Sequence, residues 1–145
     1  MVRYLLVLSI GIGLGIAGVA AAHHHKAGES VRVLAARDIV EKLDGKESAV
    51  SVVEVSLNPG EAGSPHRHPG PVFGYIVEGE YELGINDDPV QVFHVGETFY
   101  EPTGCLHRVS RNPSSDHKMR LIAVLLHPRD VKELAIPEHK EDKDQ

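Results

Sequence analysis

The 145-residue sequence predicts an all-β fold, a sandwich or barrel of short strands, on three observations. Runs rich in Val, Ile, Leu, Tyr and Phe recur along the chain, and many alternate at period two, as a strand with one buried face must. Turn-forming clusters separate the runs at near-regular spacing: Asp44-Gly45, Asn58-Pro59-Gly60, Glu78-Gly79, Asn86-Asp87-Asp88-Pro89, Pro102-Thr103-Gly104 and Asn112-Pro113-Ser114-Ser115. Helical periodicity is confined to two short stretches, 37–43 and 130–134.

The expected strands follow in order. Residues 31–36 open the series, and 49–57 place Val53, Val55 and Leu57 on one face. Residues 73–77 lead through Glu78-Gly79 into 80–85, where Tyr81, Leu83 and Ile85 share a face. Residues 90–95, 97–100 and 107–110 are short, and 119–126 is the longest apolar run near the end. Residues 31–128 are therefore expected to form one domain, enough for a single core and too few for two. Residues 129–145 read as a charged C-terminal tail, because 138–145 alternate charges without an apolar face.

At the N-terminus, Arg3 precedes a 19-residue uncharged stretch that ends in Ala20-Ala21-Ala22, the charge, apolar core and small-residue site of a secretory signal. Residues 1–22 are read as that signal and the mature protein as exported, periplasmic or secreted, with no membrane contact after cleavage. The alternative is an uncleaved membrane anchor, since about 20 apolar residues cross a bilayer. Cleavage after Ala22 would remove Arg3 and make the net charge of −6 one unit more negative. An acidic chain has no electrostatic footprint for nucleic acid. Residues 23–30 form a His-rich tail, in which His23-His24-His25 behind a free amine could wrap Cu(II) or Ni(II); a solvated tail is the simpler reading. Cys105 is the one cysteine, so no intramolecular disulfide forms although the compartment permits one.

Ten histidines are an excess for this length, and two segments concentrate the chemistry. His66 and His68 are separated by one residue, so on an extended segment both imidazoles point to one face. Downstream, Gly96 leads into the Pro102-Thr103-Gly104 turn and His107 begins the returning strand. Together these segments resemble the two cupin motifs, G-x5-H-x-H-x3–4-E-x6-G and G-x5-P-x-G-x2-H-x3-N. Gly60, His66, His68 and Gly79 match the first, and Gly96, Pro102, Gly104 and His107 the second. The resemblance covers about residues 50–126 and implies a small jelly-roll barrel, the double-stranded β-helix, with short helical turns. It also implies a divalent metal, Fe, Ni, Cu, Zn or Mn, held by His66, His68 and His107.

Two positions depart from the motifs. The glutamate falls on Val72 or Phe73, neither of which binds metal, and the asparagine comes one place late, at Asn112. The expected site is therefore a three-His site with an open position, and a centre lacking a carboxylate should favour anions. Glu101 shares parity with Phe99 on its strand, so it could replace the missing ligand, act as general base or orient a ligand His. A solvated loop position is its plainer reading. Tyr75 and Tyr100 are candidate proton donors to substrate, with ring packing as the alternative. Cys105 is expected to be buried, Arg67 and Arg108 to point away from the ligands, and His94, His117, His127 and His139 to lie at edges, loops or strand ends without a metal role.

With the expected signal, the resemblance implies an exported metal-binding protein acting on a small organic molecule, with dioxygenase-like chemistry by analogy within the family. The alternatives are a non-enzymatic metal or ligand-binding module and a metal-assisted isomerase or hydrolase. Cupins often dimerise, so the resemblance also admits a homodimer.

Overall fold

The structure, a computed structural model, describes residues 29–138; the expected signal, His23–His25 and His139 lie outside the described residues. Ten strands and no helix make up the described chain: β1 (Glu29–Leu43), β2 (Lys46–Leu57), β3 (His66–Arg67), β4 (Val72–Glu78), β5 (Glu80–Ile85), β6 (Gln91–His94), β7 (Thr98–Glu101), β8 (Leu106–Arg111), β9 (Met119–Pro128) and β10 (Ile136–Pro137). They form two five-stranded antiparallel sheets, ordered β1-β2-β9-β4-β7 and β10-β3-β8-β5-β6. Two such sheets facing each other are the jelly roll that the sequence leads one to expect.

Period-two alternation decides which side chains enter the core. Along β9, Met119, Leu121, Ala123 and Leu125 are buried and each intervening residue is at least partly exposed. They meet Val53 and Leu57 of β2, Val72 and Ile76 of β4, and Tyr81 and Leu83 of β5. The core is thus a layer between the sheets, and it opens at one end into the cavity described below.

Both helical expectations are corrected. Residues 37–43 continue β1, because Asp44 and Gly45 hold positive φ (50° and 75°) in a two-residue hairpin loop. Loops of this kind match the right-handed twist of the strands they join. Once Leu43 is set opposite Lys46, pairing runs back through Asp38 opposite Ala49, and cross-strand bonding overrides local helix propensity. Residues 130–134 are bends and turns. The C-terminal tail is corrected in part as well: Ile136 and Pro137 pair with Arg67 and His66, and Arg67 is bonded to Glu138 at 2.9 Å.

Candidate metal centre

The first motif delivers its histidines from β3 and the residues after it. The second delivers His107 from β8, directly opposite His66 in the antiparallel register. Two backbone features fix this meeting. Gly104 takes a φ of 70°, which an L side chain rarely adopts, and so turns the chain from β7 into β8. Its N–H then donates to the His68 carbonyl at 3.0 Å, tying the motifs together. Arg67 faces away from the histidines, as expected, and donates to the Gly104 carbonyl at 2.9 Å. Asn112 is fully buried, and its side-chain amide reaches the carbonyls of Leu57, Asn58 and His117, a structural role in holding the adjoining loops.

The three imidazoles converge, with one potential ligand atom from each lying within 4.8 Å of the others. Their outward nitrogens are occupied. His66 Nδ1–H donates to the Ser64 carbonyl at 2.8 Å, and His68 Nδ1–H to the Leu134 carbonyl. Tyr81 donates its hydroxyl proton to Ser110 Oγ at 3.0 Å, so its oxygen accepts from His107 Nε2–H at 3.1 Å. These partners assign the tautomers. Each ring is left with one bare lone pair: Nε2 of His66, Nε2 of His68 and Nδ1 of His107.

The lone pairs face one another. Nε2 of His66 and His68 are 3.0 Å apart, and with both Nδ1 protons engaged neither has a hydrogen to offer the other. Nδ1 of His107 is buried without a hydrogen-bond partner, and so is Oε2 of Glu101. Those two atoms approach to 3.3 Å without hydrogen-bond alignment, and the same oxygen lies 3.8 Å from His68 Nε2. Buried polar atoms are almost always paired. Three histidines whose bare nitrogens converge in this way could hold a metal ion.

Electrostatics agree. Burial lowers the pKa of His68 to about 4 and that of His107 to about 3, with the neighbouring histidines adding to the effect. Both are neutral near pH 7, the form that ligates metal. Burial alone raises Glu101 to about 7. Burial, followed by the nearby Glu101, raises the Tyr81 phenol, which stays protonated.

The cluster sits in a cavity of about 190 Å³. Apart from the histidines, Glu101, Glu29 and a few hydroxyls, the wall is apolar, with Val53, Val72, Phe99, Leu121 and Leu125 prominent. Leu134, Ala135 and Pro137 from the expected tail complete it.

The structure separates the remaining expectations. Glu101 is buried and lines the cavity with Phe99, so its plainer reading as a solvated loop residue is corrected. Tyr75 and Tyr100 are corrected in the other direction. They stand on the outer face of β4 and β7, about half exposed, while Val72, Gly74 and Ile76 face inward. Neither lines the cavity, and the ring of Tyr100 packs on Phe73 instead. Cys105 is buried and Arg108 turns to the carbonyls of Asn86 and Asp88. His94 and His117 are exposed. The sequence reading missed Tyr81, although its parity with Leu83 already placed a polar-tipped ring inside the barrel.

The profile of the family described as "Cupin domain" matches residues 53–125, half of the chain. The chain is a cupin. Among solved structures, this cupin resembles an uncharacterised conserved protein with a double-stranded β-helix domain from Klebsiella pneumoniae: TM-score 0.59, 18% identity, 81% of this chain and 90% of that one covered. It also resembles an oxalate oxidase in complex with glycolate (TM-score 0.53, 25% identity, 72% and 55% covered). A third likeness is to a DMSP lyase from Ruegeria pomeroyi (TM-score 0.52, 20% identity, 75% and 54% covered). The cupin spans about half the length of each of these two enzymes. No curated protein sequence matches it.

Proposed function

We propose that this cupin is exported, holds one divalent metal on His66, His68 and His107, and acts with it on a small organic molecule bound in the cavity. The observation that carries the reading is the convergence of three histidine nitrogens, two of them 3.0 Å apart with the far nitrogen of each ring set on a backbone carbonyl. Between neutral rings in these tautomers the contact is repulsive unless a cation is shared. Imidazole nitrogens bind such ions at about 2.0–2.1 Å, so two adjacent ligands of one ion naturally stand about this far apart. The donor set suits Fe, Ni, Cu and Zn, and Mn where carboxylate or water completes it.

The protein's own groups have defined tasks. The carbonyls of Ser64 and Leu134 and the Tyr81 hydroxyl hold the imidazoles in their ligating tautomers. The apolar wall excludes water and takes the body of the substrate. Among the described residues no Lys or Arg lines the cavity, and buried Glu101 places a carboxylate beside the histidines. The anion preference expected of a carboxylate-free centre is therefore withdrawn. An uncharged or singly charged molecule with an apolar body and one polar head fits the wall better than a dianion. When bound, the metal supplies a Lewis acid, or redox chemistry with dioxygen if it is iron. The dioxygenase-like reading rests on that second case.

A thermal-shift panel of the full chain with Fe(II), Ni(II), Cu(II), Zn(II) and Mn(II), followed by oxygen-uptake assays with small apolar carbonyl and phenol compounds, tests the proposal. Stabilisation by a metal and metal-dependent turnover are expected. Stabilisation without turnover would leave a binding module, turnover without oxygen uptake would favour Lewis-acid chemistry, and no response to any metal would overturn the reading.

A further inference from the structure

We propose that Glu101 is a fourth protein ligand of the metal, a carboxylate that β7 delivers to the space a glutamate at Val72 would occupy from β4. The proposal rests on the three-histidine reading above and adds to it. Its basis is register. The family's glutamate position falls on Val72 or Phe73 in this sequence; Phe73 is exposed, and inward-facing Val72 is paired directly with Glu101 across β4 and β7. Both side chains are buried, at 2% exposure, and both line the cavity. Residues directly opposite on antiparallel strands have Cβ atoms about 4.5–5.5 Å apart. A carboxylate moved to the neighbouring strand at that register therefore reaches the same volume. The site keeps its acid and changes the strand that carries it.

The second observation is what surrounds the carboxylate. Glu101 Oε2 is buried, has no hydrogen-bond partner, and faces the bare Nδ1 of His107 at 3.3 Å and Nε2 of His68 at 3.8 Å. Among the described residues no Lys or Arg lines the cavity to neutralise it. A buried carboxylate without a cation is costly, and the ring atoms facing this one are the bare nitrogens of His107 and His68. One divalent ion among them would be shared by the three histidine nitrogens and by the carboxylate oxygen that lies 3.3 Å from His107 Nδ1 and 3.8 Å from His68 Nε2.

Cobalt(II) loading of the full chain tests this, because the visible spectrum of Co(II) reports its donor set independently of activity. Two variants decide it. Glu101→Gln keeps shape and packing but replaces the carboxylate by a neutral amide, so a purely space-filling role would survive it, whereas ligation would not. The double variant Val72→Glu with Glu101→Val returns the acid to β4. The expected results are a changed Co(II) spectrum and affinity weakened in Glu101→Gln beyond the roughly 10–100-fold that loss of an outer-shell partner costs, with both largely restored in the double variant. Thermal melts of the metal-free variants check that they fold. A wild-type spectrum and affinity in Glu101→Gln would overturn the fourth ligand and leave the three-histidine site standing. Failure of the wild-type chain to bind Co(II) would overturn both.

Discussion

His127 and His107 are buried to nearly the same degree, 1% and 4% exposed, on neighbouring walls of one barrel, yet their surroundings differ in kind. Each His127 nitrogen has a partner: Nε2 meets Ser51 Oγ and Nδ1–H donates to the Pro128 carbonyl, both at 2.9 Å. His107 has one nitrogen on Tyr81 and the other bare, facing a bare carboxylate oxygen. Burial alone does not distinguish a structural histidine from a ligand. The count of unanswered lone pairs does, and it singles out the cluster at the mouth of the barrel.

Substitutions should separate the two environments sharply. His107→Ala or His66→Ala is expected to abolish stoichiometric metal binding by the folded barrel, read by titration with a chromophoric chelator. His127→Ala should leave metal affinity unchanged and lower stability by about 2–4 kcal/mol, read by urea unfolding, because it opens a cavity and orphans the Ser51 hydroxyl. Ser51→Ala should cost about 1–2 kcal/mol by the same measurement, again without affecting metal. Loss of metal in His127→Ala, with the fold intact, would erase the contrast.

The metal-free protein should also carry the cluster's signature in its pH dependence. His68 and His107 titrate near 4 and 3 in the fold and near 6.5 when unfolded, so the unfolded chain binds more protons in between. Their contribution is present above about pH 6.5 and is lost as pH falls through that window. Glu101 works in the opposite sense. Its carboxyl titrates near 7 in the fold against 4.5 when free, so its contribution is full below about pH 4.5 and is lost as pH rises through 7. Chemical denaturation of the metal-free protein from pH 4 to 8 should therefore show a maximum near pH 6.5. Glu101→Gln should remove the decline above it. A flat profile would mean that the cluster is solvated.

The smallest effect is expected outside the barrel. Tyr75→Ala and Tyr100→Ala, on the exposed face of β4 and β7, should leave metal affinity unchanged and alter stability by about 0.5 kcal/mol or less. A large loss of metal in either would relocate the site.

Much of this was legible in the sequence, for reasons that differ residue by residue. The alternation in β9 and the clustered turn residues announced the strands. Period two announced that His66 and His68 share a face, and the match of both segments to the cupin motifs, rather than any local pattern, joined His107 to them. Glu101 was legible only by parity. That it stands opposite Val72 is a fact of register between strands 29 positions apart, which no local pattern records. The tautomers depend on backbone carbonyls, and every residue has one, so Ser64 and Leu134 carried no signal. Leu134 also lay in a stretch read as helical and outside the barrel. Residues 37–43 misled for the opposite reason: their propensity was visible, whereas the hairpin that overruled it was not.

The central claim is that the bare lone pairs of His66, His68 and His107 exist to hold a metal. Elemental analysis of the full chain purified from its own compartment, beside His66→Ala prepared identically, tests it most directly. The account predicts about one divalent metal per wild-type chain and its loss in the variant. Metal-free wild-type protein, or equal metal in both, which would point to His23–His25, would contradict it.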